Sequence, residues 1–200
     1  MTGVVLEVGG RRTFAMALDW PGWGRSGREA GSALEALGAY LPRYMPLARR
    51  ATGEAPSADF DVVATVEGNA TTDFGAPGMP VDTDGPLAGN RLERFLAILD
   101  VVWAELDDVA RSAPEELTKG PRGGGRDTSK IVEHVTGAEQ AYAAKIGIRG
   151  KGLTPAQLRT AITERLSTLG EEETKWPASY FVRRVAWHVT DHLWEIQDRS

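Results

Sequence analysis

Cysteine is absent from this chain of 200 residues, and histidine is scarce, with only three residues. Without cysteine there can be no disulfide bond, no thiolate metal site and no cysteine nucleophile. Any transition metal would therefore have to be bound by histidine, aspartate or glutamate.

Long apolar runs are also missing, because no window approaches the roughly 20 apolar residues that a membrane helix needs. The N-terminal run MTGVVLEVGGRRTF lacks the order of charged, apolar and small residues that defines a signal peptide. We therefore expect a cytoplasmic protein without a membrane partner.

An excess of basic residues is missing as well. Lys and Arg number 23 against 28 Asp and Glu, which gives a net charge of -5. Phosphate binding depends on clustered positive charge, so nucleic acid is not an expected partner. The short pairs Arg49-Arg50 and Arg183-Arg184 are interpreted as solvent-exposed. A small-molecule substrate is the expected ligand, and the sequence leaves a homodimer open.

The first 70 residues combine strand and helix patterns. VVLEV and TFAMAL are short β-prone runs on either side of Gly9-Gly10, which predicts a hairpin of strands over residues 4–8 and 13–18. The run REAGSALEALGAYL predicts a helix that Pro42 limits, and another strand is expected over residues 60–66. The pattern indicates a small ββαβ domain over residues 1–70, followed by a Gly- and Pro-rich linker over residues 71–87.

From about residue 88 onward, apolar residues recur at intervals of three and four, as in amphipathic helices. The stripes predict a helix over about 89–111, a second from Asp127, a third from Thr154-Pro155 and a fourth from Pro177. The second is expected to bury Ile131, Val135, Ala138 and Tyr142. Four such helices most simply pack as a four-helix bundle over residues 88–200, so the expected fold class is α+β.

The three histidines fall on the apolar stripes of two of these helices. His188 and His192 are four residues apart on the last helix, within VAWHVTDHLWEIQDRS, and His134 lies on the second. Side chains four apart are about 5–6 Å from each other at Cβ, so two imidazoles can converge on one ion while the third arrives from a facing helix. Burying three imidazoles without a shared partner would cost desolvation at each. We therefore predict a three-histidine metal site, with hydrogen-bonded core histidines as the alternative.

These stretches also resemble a known family. IVEHVTGAEQAYAAKIG followed, after another helix, by RRVAWHVTDHLWEIQDR is similar to the DinB/YfiT-like superfamily of metal-binding four-helix bundles. The resemblance covers about residues 88–200 and implies that His134, His188 and His192 are metal ligands. It also implies a transferase that uses a low-molecular-weight thiol such as mycothiol or bacillithiol. The N-terminal run FAMALDWPGWGRSGREAGSALEAL is similar to HicB-like domains, in which a D-x-P-G turn follows a strand and precedes a helix.

The predicted site would hold a divalent transition metal, in the first place zinc or nickel. Three protein nitrogens leave one coordination position open, either for a thiol, as in a thiol transferase, or for water, as in a hydrolase. A non-enzymatic binding module, with structural histidines or a closed metal site, is the alternative from another class. Glu195 lies at the edge of the histidine stripe and is a candidate acceptor for an imidazole N–H, with an ion pair to Arg199 or Arg184 as the alternative.

Two other motifs are discounted. GPRGGGRD, residues 120–127, has the glycine spacing of a phosphate-binding loop, but Arg126 and Asp127 stand where lysine and a hydroxyl side chain are required. Asp82 and Asp84 are too few carboxylates for a calcium site. The nucleotide and calcium hypotheses are therefore set aside in favour of the histidine site.

Overall fold

The structure is a computed structural model that describes residues 1–81, 86–120 and 125–200. Strands β1 to β4 span Thr2–Val8, Thr13–Ala17, Gly24–Gly27 and Phe60–Glu67. Helices α1 to α3 span Ala30–Ala39, Leu41–Thr52 and Ala70–Phe74. Helices α4 to α7 span Gly89–Ser112, Thr128–Ala143, Pro155–Leu169 and Ala178–Arg199, and a 3-10 turn at Ala144–Ile146 follows α5. The described residues thus form an α+β fold, with every strand in the first 67 residues as predicted.

Two of the motifs discounted above fall wholly or partly outside the described residues. Asp82 and Asp84 lie outside them, and so do residues 121–124 at the centre of GPRGGGRD. The discounted calcium and nucleotide sites therefore play no part in the description that follows.

The four strands form one sheet in the order β3-β2-β1-β4. Strand β1 pairs antiparallel with β2 through the predicted hairpin and parallel with β4. Alternate residues of β1 and β2 face two different cores, because side chains on successive strand residues point to opposite faces. Val4 and Ala15 pack with the helices, whereas Val5 and Phe14 pack with residues 76–81 and Trp187 of α7. Both faces of the sheet centre are therefore covered.

The N-terminal part contains one strand and one helix more than the predicted ββαβ unit. Strand β3 has the sequence GRSG, which lacks the apolar alternation that marks a strand, and its pairing depends on β2. A side chain at Gly27 would collide with the backbone of α1, so glycine is needed there. Pro42 does limit α1, but it also occupies the first turn of α2, where proline is well tolerated.

The predicted linker is partly structured. Asn69 caps α3, since its Oδ1 accepts a hydrogen bond from the Thr71 N–H at 2.7 Å. Ala76 and Val81 are buried against the sheet. Helix α2 packs on α4, and one buried apolar cluster contains residues from both parts of the chain. The division into two domains stays a prediction from the sequence.

The C-terminal helices begin close to the predicted positions and pack on one another. Helix α7 contacts α4 and α5, and α6 contacts the same two helices. Helix α7 is buried around most of its circumference because it also packs on the sheet through Trp187. Helix α5 differs from expectation, since Glu139 and Ala143 are buried in place of Ala138 and Tyr142. None of the helices in the described part of the chain is both long enough and apolar enough to cross a membrane.

Candidate metal centre

Helices α5 and α7 bring the three histidines together. The ring centroid of His134 lies 5.1 Å from that of His188 and 4.9 Å from that of His192, and the two α7 rings are 4.6 Å apart. Each residue offers one ring nitrogen, and these three nitrogens all lie within 4.8 Å of one another. The histidines are therefore close enough to bind one metal ion, as the i, i+4 spacing and the facing helix predict.

Desolvation favours the uncharged form of His188 and of His134. His188 is only 7% exposed. Desolvation lowers its pKa to about 2, with further lowering from His192, His134, Arg184 and Arg126. The pKa of His134 is also lowered, again mainly by desolvation. Neutral imidazole is the form that coordinates transition metals, so the lowered pKa values of His188 and His134 favour ligation.

One buried nitrogen supports the fit of a metal ion to this cluster. Nδ1 of His188 is buried and has no hydrogen-bond partner among the described residues. A buried polar atom without a partner is costly, and a cation coordinated by this nitrogen would supply the missing partner. The three neutral nitrogens are also the donor set that zinc and nickel accept in proteins.

Glu195 combines the two roles that the sequence left open. Its Oε2 lies 2.7 Å from Nδ1 of His192, and its Oε1 accepts a hydrogen bond from Nη1 of Arg199, also at 2.7 Å. Because the carboxylate occupies Nδ1, Nε2 of His192 is the nitrogen left for an ion. The ion pair with Arg199 in turn holds Glu195, so this carboxylate fixes the orientation of the imidazole.

Arg199 also ties the loop that precedes α5 to the end of α7. Its Nε donates to the carbonyl of Thr118 at 2.9 Å, and Nη1 donates to the carbonyl of Arg126 at 2.8 Å. Gly125 has φ +141° and lies directly against the guanidinium, so a side chain there would collide with it. Arg126 is thereby positioned beside the histidines.

A cavity of about 500 Å³ opens onto the three histidines. Helix α7 supplies Arg184, Trp187 and Asp191 to its walls, and Arg126 and Tyr142 complete the helical side. The remaining wall comes from the N-terminal part, through Ala70, Thr71, Phe74 and Ala76. The cavity is therefore built jointly by the sheet-containing part and the C-terminal helices, which gives a ligand access to the histidines.

The prediction of a solvent-exposed Arg183-Arg184 pair is wrong. Arg183 is 1% exposed, and its positive charge favours the ionised form of Glu7 on β1. Arg184 donates to the carbonyl of Pro77 at 2.7 Å and to the Tyr142 hydroxyl at 3.2 Å. A charge can be buried when other elements supply its partners, and here the Pro77 carbonyl lies 107 residues and the Tyr142 hydroxyl 42 residues away from Arg184 in sequence.

Glu7 holds the N-terminal wall of the cavity in place. This buried carboxylate accepts hydrogen bonds from the Gly78 N–H at 2.7 Å and from the Thr72 hydroxyl at 3.1 Å. Its pKa is raised, mainly by desolvation, although these hydrogen bonds act in the opposite direction. The wall that contains α3 is thus attached to the central strand of the sheet.

A second buried polar site was missed from the sequence. Glu139 of α5 is 1% exposed, its Oε1 accepts a hydrogen bond from the Trp103 indole N–H, and its Oε2 lies 4.0 Å from Nε of Arg159. Desolvation raises the pKa of Glu139 to about 7, against the opposing influence of Arg159. The periodicity of α5 does not predict the burial of Glu139, because glutamate in an amphipathic helix is normally assigned to the exposed face.

Comparisons of the chain with protein-family models, with curated proteins and with solved structures found no match. The histidine cluster and its cavity are therefore the features that indicate a function.

Proposed function

We propose that the protein is a metal-dependent enzyme in which His134, His188 and His192 hold a divalent transition metal. The observation that carries the proposal is the convergence of three ring nitrogens within 4.8 Å at the edge of a cavity of about 500 Å³. In this proposal α4 to α7 form a four-helix bundle of the DinB/YfiT-like type, and the N-terminal part corresponds to a HicB-like domain. The resemblance seen in the sequence supports both assignments.

The donor set favours zinc or nickel. Imidazole suits both ions, and a site with three histidine nitrogens leaves a coordination position free. When bound, such an ion supplies Lewis acidity, which lowers the pKa of a coordinated thiol or water molecule. Glu195 keeps the His192 ring oriented, since it is itself held by Arg199.

Within this class, we propose a transferase that uses a low-molecular-weight thiol. The cavity has room for a second substrate next to the histidines, and Trp187 and Tyr142 lie in its walls. A metal-dependent hydrolase would use the same residues with water in place of the thiol. A non-enzymatic binding module would leave no free position at the cluster.

The metal site is tested by elemental analysis of the purified wild-type protein and of His192→Ala. We expect about one equivalent of zinc or nickel in the wild type and a sharp loss in the variant, since His192 would supply one of the three nitrogens that hold the ion. Glu164→Ala, a change at an exposed position on α6, is the matched control and should retain the metal. Equal metal content in the wild type and His192→Ala would contradict the proposal.

The free coordination position is tested with the cobalt-substituted protein and 2-mercaptoethanol. A thiol transferase should show a new sulfur-to-cobalt charge-transfer band and altered visible absorption, because sulfur joins the ligand set. A spectrum that responds to hydroxide but not to the thiol would favour the hydrolase. A spectrum that responds to neither would favour the binding module.

A further inference from the structure

The cavity above the histidines carries positive charge that no described carboxylate neutralises. Arg126 and Arg184 both line it, and neither forms an ion pair within the described ranges 1–81, 86–120 and 125–200. The guanidinium of Arg184 is fixed by the Pro77 carbonyl and the Tyr142 hydroxyl, which are neutral acceptors and leave its charge unmatched. Both charges are close enough to the cluster to act on His188.

The single carboxylate among the residues that line this cavity is already engaged. Oδ1 of Asp191 lies 2.9 Å from Nη1 of Arg25, whose side chain is largely buried against Tyr40. Arg126 and Arg184 therefore leave an excess of positive charge at the cavity, to which a bound divalent cation would add. Charged clefts with low-dielectric walls concentrate ligands of the opposite sign. The expected ligand therefore contains an anionic group.

Phe74 indicates that the ligand also has an apolar part. Its side chain is 87% exposed at the rim of the cavity, where α3 ends and Gly75 takes φ +100°. An exposed aromatic ring that borders a cavity can bury apolar surface against a ligand held in that cavity. Trp187 and Tyr142 offer further aromatic surface in the walls.

We infer that the substrate joins an anionic group, held by Arg126 and Arg184, to an apolar and preferably aromatic body that Phe74 covers. The inference rests on the proposed function, because it takes the cavity above the histidines as the substrate site. It goes beyond that function by naming the chemical class that the cavity selects.

The test uses the zinc-loaded full chain and three probes measured by isothermal titration calorimetry. Phenylacetate has both features, phenylacetamide lacks the charge and acetate lacks the ring. We expect phenylacetate to bind about tenfold more tightly than either of the others. Arg126→Gln should weaken phenylacetate about tenfold and leave phenylacetamide unchanged, whereas Phe74→Ala should weaken phenylacetate and leave acetate unchanged.

Arg149→Gln is the matched control, because it removes the same charge from an exposed position beyond the other end of α5. Zinc content is measured in every variant, which separates loss of the metal from loss of anion recognition. If the wild type takes up no zinc, the proposed function fails, and the same titrations on the metal-free protein decide the inference, since the arginines alone should still favour phenylacetate. Equal binding of phenylacetate and phenylacetamide, or equal effects of Arg126→Gln and Arg149→Gln, would overturn it.

Discussion

Helix α5 carries two polar groups that face different neighbours, the half-buried His134 and the buried Glu139. The two are five residues apart, which places them roughly 140° apart around the helix. His134 meets the two histidines of α7, and Glu139 meets Trp103 of α4 and Arg159 of α6. Desolvation favours the uncharged form at both sites, since it lowers the pKa of His188 to about 2 and raises that of Glu139 to about 7.

The difference between the two sites lies in access and in free donor atoms. The histidines border a cavity, and three nitrogens converge without a protein partner that would occupy all of them. The Glu139 carboxylate instead accepts the Trp103 N–H and lies beside a guanidinium within the helical core. A perturbed pKa therefore marks both a candidate functional site and a structural one, and the geometry separates them.

Glu139→Ala is expected to have the largest effect, on the free energy of unfolding, and so to sharpen the contrast between the structural Glu139 site and the histidine cluster. Removal of the carboxylate leaves the Trp103 N–H and the Arg159 guanidinium without their buried partner, which should lower the free energy of unfolding by about 3 kcal/mol. Metal content should stay at the wild-type value, as measured by elemental analysis beside urea unfolding. Glu133→Ala, at an exposed position on the same helix, should leave the unfolding midpoint unchanged. Loss of metal in Glu139→Ala would show that the two sites are coupled.

A smaller effect, on metal affinity and not on the free energy of unfolding, is expected from Glu195→Ala. This change frees Nδ1 of His192 and so removes the group that fixes the ring, which should lower metal affinity about 10–100-fold. Competition with a chromophoric chelator would measure the affinity. Glu195→Ala also removes the ion pair of Glu195 with Arg199. Arg43→Ala is a suitable control, because it removes a different ion pair of α7, the one with Asp198 on the exposed side of the helix. Unchanged affinity in Glu195→Ala would mean that the carboxylate serves Arg199 alone.

The smallest predicted effect is a pH dependence that belongs to Glu139. Its pKa is raised from 4.5 to about 7 in the folded protein, so the folded state binds more protons than the unfolded state between these values. Its contribution to stability is therefore full below about pH 4.5 and is lost as the pH rises through about 7. Glutamine keeps an acceptor for Trp103 but does not titrate.

We expect the stability of Glu139→Gln relative to the wild type to increase by about 1 kcal/mol between pH 6 and pH 8. That change corresponds to about 2–4 °C in Tm, which differential scanning calorimetry can resolve. The other titratable groups are the same in both proteins, so their contribution cancels in the difference. A constant gap between the two proteins across this range would indicate that Glu139 is already ionised at pH 6.

Local patterns in the sequence were sufficient to predict the helices that carry the histidines. The i, i+4 spacing of His188 and His192 and the apolar stripe around them depend only on helix geometry, and the structure brings His134 to the same place. The hairpin of β1 and β2 was equally predictable, because turn residues and alternation are local signals.

The features that were not predicted depend on partners distant in sequence. Strand β3 has no pattern of its own and exists through its pairing with β2. The buried charge of Arg183 acts on Glu7, which is distant in sequence, and Glu139 is buried because α4 and α6 meet that face of α5. Phe74 lies in the cavity wall because it belongs to α3, a helix within a stretch that the sequence predicts to be a linker. Periodicity identifies which face of an element is apolar, but not which distant residue lies against it.

The attachment of the cavity wall to Glu7 has a consequence for how such a protein can evolve. The proposed metal ligands lie on α5 and α7, whereas the wall that contains Phe74 is encoded in a separate and contiguous stretch, residues 70–78, anchored at Gly78 and Thr72. Mutations within that stretch can change which molecules enter while the ion, its ligands and Glu195 remain untouched. Ligand preference can therefore diversify by small inherited steps, each of which leaves the chemistry of the histidine cluster intact.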